Sequence, residues 1–575
     1  MMKSALCLFF VSLSYMINAQ GLDFEWAKQF GSQGTKTSGR SITSDPWGNV
    51  FSVGSFTGSV DFDPGPGVFT LNSGTVNSTF ICKLDSSGSF LWAGKIGMFT
   101  GSIISDKFGN VIVMGYLFMS PYDTLDADPG PGIFPLTSPP GSRMGTCIIK
   151  LNNAGNLLWA KTFNTAANSG YCTGTSICLD SKQNIYVGGF FQILANFGPG
   201  KGAELNGTWV PIQSRSPYPI PSFFICSLDS LGNFRYAKKQ SEYSTGAVVC
   251  TPQDETISFI TNYRNVSHNY QPEYLHIQKR DFNGNLLWSK MFTSGTNPDK
   301  SSMWWGVADT DKDGNIWATG YYTGAVDFDP YPGSIRYFRT LSLKSTSVFI
   351  LKLNPEGNLQ KHALLRAAPN QTLRTSQMFI DKEGGCYLGG ELGGALYVNY
   401  GSPYTSLNIN QNNGSLVKLN KDLRLEWAMQ IGKNSPSRLN TMCADNFGNL
   451  YLSGHFSGSC DFSFTAGTNN HAAVGTEDAY LLKLRGPTNS PLRMRGKDRV
   501  KFFVSPEGEQ LFLTTSFEVA HGQCRIIDAS GKVRGDKRDV NGTAFTMDLT
   551  GLQQGFYIVE ISDDQHYTTT KIIKD

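Results

Sequence analysis

A ten-residue segment recurs along this chain: DPWGNVFSVG at 45–54, DKFGNVIVMG at 106–115, DSKQNIYVGG at 180–189, DKDGNIWATG at 311–320, DKEGGCYLGG at 381–390 and DNFGNLYLSG at 445–454. A degraded copy, PQDETISFIT at 252–261, falls in the one long gap and makes seven. The copies stand about 67 residues apart on average, and regular self-similarity of this kind marks an array or a propeller. Within each copy Asp-x-x-Gly-Asn is a turn, in which Gly or Asn supplies positive φ and Asp bonds back to the backbone. The residues that follow alternate β-branched or aromatic with small ones, as a half-buried strand does. The closing Gly lets backbones pack closely.

A second segment recurs out of phase: LDSSGSFLWA (84–93), LNNAGNLLWA (151–160), LDSLGNFRYA (228–237), RDFNGNLLWS (280–289), LNPEGNLQKH (353–362) and LNKDLRLEWA (419–428). An apolar strand precedes each, so strand, Gly-Asn turn and Trp strand form a hairpin. The two segments together make the four antiparallel strands of a propeller blade. The seventh copy reaches YLLKLRG (480–486) and stops at Pro487 without a Trp strand. The N-terminal GLDFEWAKQFG (21–31) is a Trp strand without a partner, and Trp26 matches Trp92, Trp159, Trp288 and Trp427. The expected fold is therefore an all-β, seven-bladed β-propeller over 20–486, closed by the N-terminal strand so that no edge is left to template aggregation. These turn-strands and the Asp-Phe-Asp-Pro-Gly loops resemble bacterial propeller repeats, common in exported proteins of Bacteroidota. That resemblance carries the fold and says almost nothing of activity.

The pattern changes after a linker at 487–499. Val500 to Val504, RIIDASGKV (525–533), FTMDLTGLQQGFYIVEIS (545–562) and TTTKIIKD (568–575) read as strands and turns of a small β-sandwich over 500–575. This stretch resembles the C-terminal sorting domain of the type IX secretion system. The matching residues are Gly531 and Lys532, then Gly551 and Leu552, then Gly555 and Tyr557, and Lys571 near the end. Val504-Ser505-Pro506-Glu507 stands where the family opens with Pro-Asn-Pro. The resemblance implies the type IX machinery as a partner, passage across an outer membrane, and removal of the domain during attachment or release.

The N-terminus agrees with export. Lys3 is followed by an almost wholly apolar or small run from Ala5 to Ile17, too short to span a bilayer, and Ala19 suits cleavage. Residues 1–19 are expected to be a signal peptide, and no later segment is long and apolar enough to span. A net charge of +3 offers no electrostatic footprint for nucleic acid. Of the 11 cysteines, Cys178, Cys250 and Cys443 share one repeat position. Positions equivalent by repeat lie in different blades, expected to be too far apart for a disulfide, so buried reduced thiols are the expectation. Cys172 with Cys178 and Cys178 with Cys250 are the pairs to test.

Two constellations offer chemistry. Asp61 and Asp63, Asp126 and Asp128, and Asp327 and Asp329 precede Pro-Gly or Pro-Tyr-Pro-Gly, and carboxylates at i and i+2 suit Ca²⁺. Recurrence at one blade position favours the structural reading, in which Asp caps the turn, so no cofactor is expected. The segment 309–315 opens like an EF-hand but holds Gly320 where the bidentate Glu belongs. Trp304 and Trp305 lie outside the Trp pattern and are candidates for the central opening, where aromatic rings stack on sugars or peptides. Packing between blades is the competing reading. No local zinc, nucleophile-elbow or phosphate-loop motif is present. The leading expectation is an extracellular or surface propeller that binds a protein or glycan. The alternatives are a secreted hydrolase or lyase with its site on the propeller face, favoured by an acidic-His-Tyr cluster in the funnel, and a structural spacer.

Overall fold

The computed structural model describes residues 22–118, 124–137, 144–165, 171–192, 194–198, 204–206, 222–242, 244–266, 269–294, 301–328, 337–340, 342, 344–392, 394–398, 405–409, 413–463, 468–485, 500–504, 510–528, 532–553, 555–562 and 567–574. The expected signal peptide, the linker, Asp329 and Gly531 lie outside these residues, as do the side chains of Trp305 and Lys571. Every regular element described is a β-strand. Among the described residues no helix is long and apolar enough to cross a membrane.

Local chemistry builds the repeat. Asp45 Oδ1 accepts the backbone N–H of Trp47 and Asn49 at 3.0 and 2.9 Å, and its Oδ2 accepts the Asn49 amide at 2.7 Å. Gly48 takes φ +80° between them. Asp106, Asp311 and Asp445 repeat this cage with Asn110, Asn315 and Asn449. The degraded copy keeps the geometry with other atoms. Thr251 Oγ1 accepts the N–H of Gln253 and Glu255 at 3.3 and 3.2 Å, and Asp254 takes φ +61°.

Each turn joins the first two strands of a four-stranded antiparallel meander. The first meander runs Lys36–Ser44, Val50–Thr57, Ser78–Leu84 and Phe90–Ile96, and the next runs Phe99–Ser105, Val111–Phe118, Met144–Leu151 and Leu157–Thr165. The pattern continues through meanders beginning at Cys172–Leu179, Ser244–Cys250, Ser302–Thr310 and Arg374–Ile380. The last has Ser437–Ala444, Leu450–Phe456 and Asp478–Arg485 from the C-terminal side of the array, and Asp23–Phe30 from the N-terminus as its outer strand. Trp26 pairs with Lys483 and Ala27 with Leu482.

Neighbouring meanders are latched by a repeated device. Lys83, Lys150, Lys279 and Lys483 each sit beside a carboxylate of their own sheet: Asp45 at 3.7 Å, Asp106 at 2.9 Å, Glu255 at 2.6 Å and Glu25 at 3.2 Å. Each Nζ also donates to a carbonyl in the hairpin of the next sheet: Asn153, Ser230, Pro355 and Ser86 respectively. Trp92, Trp288 and Trp26 donate their indole N–H to the Asn153, Pro355 and Ser86 carbonyls as well. The hairpin Gly lies flat on the Trp ring; a Cβ added at Gly155 would stand 3.0 Å from Trp92. The Gly-Asn and Trp of the second repeated segment thus serve packing between sheets, and the lysines are neutralised because a buried unpaired ammonium is costly. The last sheet latches onto the first by the same device, through Lys483 and Trp26. Phe30 and Tyr451 of the last sheet share one core with Phe80 of the first.

The Asp-x-Asp-Pro loops form short hairpins between the second and third strands. Ala325–Asp327 hydrogen-bonds to the outer strand Leu286–Ser294 of the preceding meander, and Leu194–Asn196 does the same to Leu157–Thr165. One expectation about cysteine is corrected: Cys178 and Cys250, at equivalent repeat positions in adjacent meanders, form a disulfide with a Cα separation of 5.9 Å. Both lie on the first strands, which crowd together at the centre, so equivalence by repeat brings them close instead of holding them apart.

In the C-terminal region, Val500–Val504, Gln510–Asp528, Val533–Asp548, Gly555–Ser562 and Tyr567–Lys574 make one five-stranded sheet. Register breaks near Val519 and Gly522 fold the long strands, which pairs the first half of Gln510–Asp528 with Val500–Val504 and the second half with Gly555–Ser562. Leu511 and Leu513 from one half and Ile526, Val559 and Ile561 from the other share a single core.

Candidate binding rim of the ring

The first strands of the meanders carry a one-residue bulge at Arg40, Gly101, Thr175, Gly306, Ser376 and Asn440. Three of these side chains bridge to the next meander just before its own bulge or the matching point. Thr175 donates to the Gly246 carbonyl at 2.6 Å, Ser376 to Leu439 at 2.8 Å and Asn440 to Gly39 at 2.7 Å. These bonds set the bulges at one level. The residues two positions earlier, with their cross-strand partners, therefore form a rim at one end of the central strands.

Read around the ring, that rim is divided. Phe99 stacks on Tyr116 with ring centres 5.4 Å apart and 9° between planes. Phe190, paired with Thr173, meets Tyr171 edge-on at 5.6 Å. Beside them the pair Thr256–Val266 and Asn269–Arg280 runs on beyond the rim level at Thr261, five residues or roughly 16 Å further, as a wall. The degraded repeat copy is thus the copy that was lengthened. Next comes Trp304, stacked on Tyr321 at 5.1 Å and 21°. Trp304 is half-buried at this level, and Trp305 is placed on the same strand.

The remaining arc is charged. The Arg374 guanidinium lies 6.0 Å from the centre of the Tyr321 ring, and Arg374 pairs across the strands with Glu391. Arg438 bridges to Glu391 at 3.2 Å and Lys36 to Glu477 at 3.0 Å, each base with its side chain about 60 % exposed. Arg40 is exposed in its bulge. His455 lies among them. Its Nδ1 shares a hydrogen bond with the Ser38 hydroxyl at 3.0 Å, and its Nε2 faces Glu477 at 3.8 Å. Burial holds His455 below its ordinary pKa against the pull of Glu477, so the ring is neutral at pH 7. Ser, His and Glu in a row look like a hydrolytic relay. Ser38 is only 4 % exposed, however, and sits within a paired strand, so a substrate has little access to its hydroxyl. The Ser38–His455 bond joins the last sheet to the first.

The Asp-x-Asp-Pro carboxylates are used elsewhere. Asp61 Oδ1 accepts the N–H of Asp63 and Phe69, and Asp126 Oδ1 accepts those of Asp128 and Phe134, at 2.8–3.0 Å. Asp63 and Asp128 cap Gly65 and Gly130. Asp327 is 9 % exposed in its clip to the preceding sheet. Among the described residues no three His, Cys, Asp or Glu side chains gather to hold a metal ion. Sequence reading missed Arg40, Phe99, Arg374, Arg438 and His455. Aligning the first strands of the copies on their bulges puts Phe99, Arg374 and Arg438 in register, two residues before the bulge, and Arg40 at the bulge itself.

The sorting-motif residues build turns of the C-terminal sheet. Asp528 and Lys532 exchange hydrogen bonds across theirs. Gly551 takes φ +78° next to Leu552, whose N–H reaches the Leu549 carbonyl. The Tyr557 hydroxyl donates to Gln553, and Gly555 opens the strand that carries it.

Comparisons with known proteins agree with these parts. Residues 25–58 match a family described as a β-propeller repeat. An uncharacterized WD repeat-containing protein of Acanthamoeba polyphaga mimivirus is 23% identical over 512 residues, 75% of this chain, and the chain spans 36% of that protein's length. Among solved structures, a protein of unknown function from Dyadobacter fermentans gives a TM-score of 0.33 at 11% identity, covering 81% of this chain and 100% of its own. A polysaccharide lyase gives 0.29 at 9% identity, covering 78% and 89%. Scores this low add nothing to the fold described above. Residues 502–575 match the family described as the secretion system C-terminal sorting domain. The chain thus joins β-propeller repeats to a C-terminal sorting domain, which implies export by the type IX secretion machinery to the outside of the cell or its surface.

Proposed function

We propose that this protein is a seven-bladed β-propeller which, once its signal peptide is removed near Ala19 and its sorting domain has carried it out of the cell, binds an extracellular glycan or protein at the rim of its channel. The latch from Lys483 and Trp26 to Ser86 supports closure into a ring, because it repeats at the chain's two ends the contact made between consecutive meanders. The shared core of the folded C-terminal sheet supports a sandwich-like sorting domain over 500–575. The observation that carries the binding reading is the rim itself. Stacked, solvent-reaching aromatic pairs stand beside half-paired arginines at the open end of the central strands, where nothing in the fold requires them. Binding sites combine such apolar planes with a few placed polar groups. No cofactor is invoked.

The test is retention of the secreted protein on arrays of extracellular glycans and proteins. The wild type is expected to bind, and Trp304→Ala with Tyr321→Ala to lose that binding while Leu231→Ala on a hairpin turn keeps it. Retention unaffected by the rim changes would overturn the reading. The hydrolase alternative rests on the Ser38–His455–Glu477 string; covalent labelling of Ser38 by a fluorophosphonate would favour it over the binder.

A further inference from the structure

We infer that the ligand of this rim is an anionic glycan, a chain of sugars bearing carboxylate or sulfate groups; this rests on the binding reading and narrows it to a chemical class. Two features of the rim lie side by side and complement such a polymer. The first is charge. Arg374, Arg438 and the pair Lys36 and Arg40 stand on three successive first strands, at and on either side of the rim level, against Glu391 and Glu477, a surplus of two positive charges, while His455 between them is neutral. This is a local device and not the reflection of a basic chain, since the whole protein carries only +3 over 575 residues. Three of the four bases are arginines, whose planar guanidinium forks meet carboxylate and sulfate oxygens in pairs. The partial pairing with Glu391 holds Arg438 in place without burying it, and Arg374 is steadied over the face of Tyr321.

The second feature is flat apolar surface at both ends of that arc. The Trp304–Tyr321 stack adjoins Arg374, and the Phe99–Tyr116 stack stands on the second meander, next to the one that holds Arg40, with Phe99 37 % exposed. An aromatic face offers a wide, stiff platform for the C–H face of a sugar ring. A linear polymer laid along the arc would rest a ring on each platform and direct its anionic groups to the arginines between. Ser376 and Asn440, at the bulges two residues below Arg374 and Arg438, add a hydroxyl and an amide beside them that suit a hydroxyl-rich ligand. An acidic peptide satisfies the charge but leaves the paired platforms without flat partners.

The experiment titrates the full exported protein with four polymers: polygalacturonate, dextran sulfate, neutral dextran and poly-glutamate. Binding to polygalacturonate, dextran sulfate or both is expected, weakening as salt rises, with the two arms telling carboxylate from sulfate recognition. Arg40→Ala with Arg438→Ala is expected to weaken it by about tenfold or more, as is Trp304→Ala, whereas Lys312→Ala, on an exposed turn away from the rim, leaves it unchanged. Thermal melts of each variant check that it folds. Binding of neutral dextran as tightly as the charged polymers, without salt dependence, overturns the anionic class but leaves the glycan reading standing. Binding of poly-glutamate alone overturns it in favour of an acidic protein partner. If no polymer and no arrayed protein binds through the rim, this inference and the function it rests on fail together.

Discussion

Asp309 shows how a single side chain can set a pH dependence inside a repeat. It occupies the position that is Cys178, Cys250 or Cys443 in other copies, between the first strands of adjacent meanders. Its two oxygens accept the N–H of Thr310 at 2.8 Å and of Ile380 at 3.1 Å. Desolvation pushes its carboxyl up to about 6 from an ordinary 3.8, more than those two hydrogen bonds offset. A raised folded-state pKa means that the folded protein holds this proton more tightly than the unfolded chain. Its contribution is fully present at pH values below the ordinary one and is lost as pH rises from about 4 through 6. The expected loss is on the order of 3 kcal/mol. Denaturant unfolding across that window should show the decline, and Asp309→Asn should flatten the slope whatever it does to the stability at either end. An equal slope in the variant would assign the pH dependence to other groups.

At the scale of strands and turns, the meanders are alike in plan but not in how they are joined. Most use the lysine latch. The third sheet has Ser227 where the others have lysine, so Arg235 from its outer strand reaches across instead, to Ser227, Tyr186 and the Phe282 carbonyl of the next hairpin. That same junction carries the Cys178–Cys250 disulfide, which closes 72 residues of sequence. A cross-link of that span stabilises by roughly 2–4 kcal/mol, mainly by restricting the unfolded chain. Addition of a reductant should therefore lower the denaturation midpoint of the wild type and leave a Cys178→Ala, Cys250→Ala variant where it is. A midpoint indifferent to reductant in the wild type would show that the bond adds no stability at this junction.

For the whole molecule, stability depends on a strand supplied from the far end of the chain. Asp23–Phe30 covers the edge of Asp478–Arg485, whose Leu481, Leu482 and Leu484 are at most 1 % exposed. Without it, a long apolar edge with unpaired N–H and C=O groups would face solvent. Deleting residues 22–30 should give a protein that aggregates or unfolds over a broad transition, as judged by light scattering and thermal melts. The same molecule with Trp26→Phe, which keeps the strand but loses the indole bond to Ser86 and part of the ring packed on Gly88, should stay soluble with a modestly lower midpoint. A deletion variant as soluble and cooperative as the wild type would show that closure contributes little.

What the sequence by itself determined was everything made within about five residues or repeated at a fixed period. The Asp-x-x-Gly-Asn cages, the hairpins, the unpartnered Trp26 strand and the turns of the sorting domain were all legible, because a turn's hydrogen bonds lie inside its own motif. The disulfide, the latches and the rim were decided only by tertiary structure. Cys178 and Cys250 meet because first strands converge at the centre, a fact of the ring and not of the repeat. Lys83 finds the Asn153 carbonyl 70 residues away, and Ser38 meets His455 across 417. Rim residues such as Phe99, Arg374 and Arg438 follow no shared residue type, since solvent-facing positions are free of the packing demands that keep core positions alike. A rim assembled from a few residues of each meander has no local spacing to betray it, and it exists only once the meanders have packed side by side.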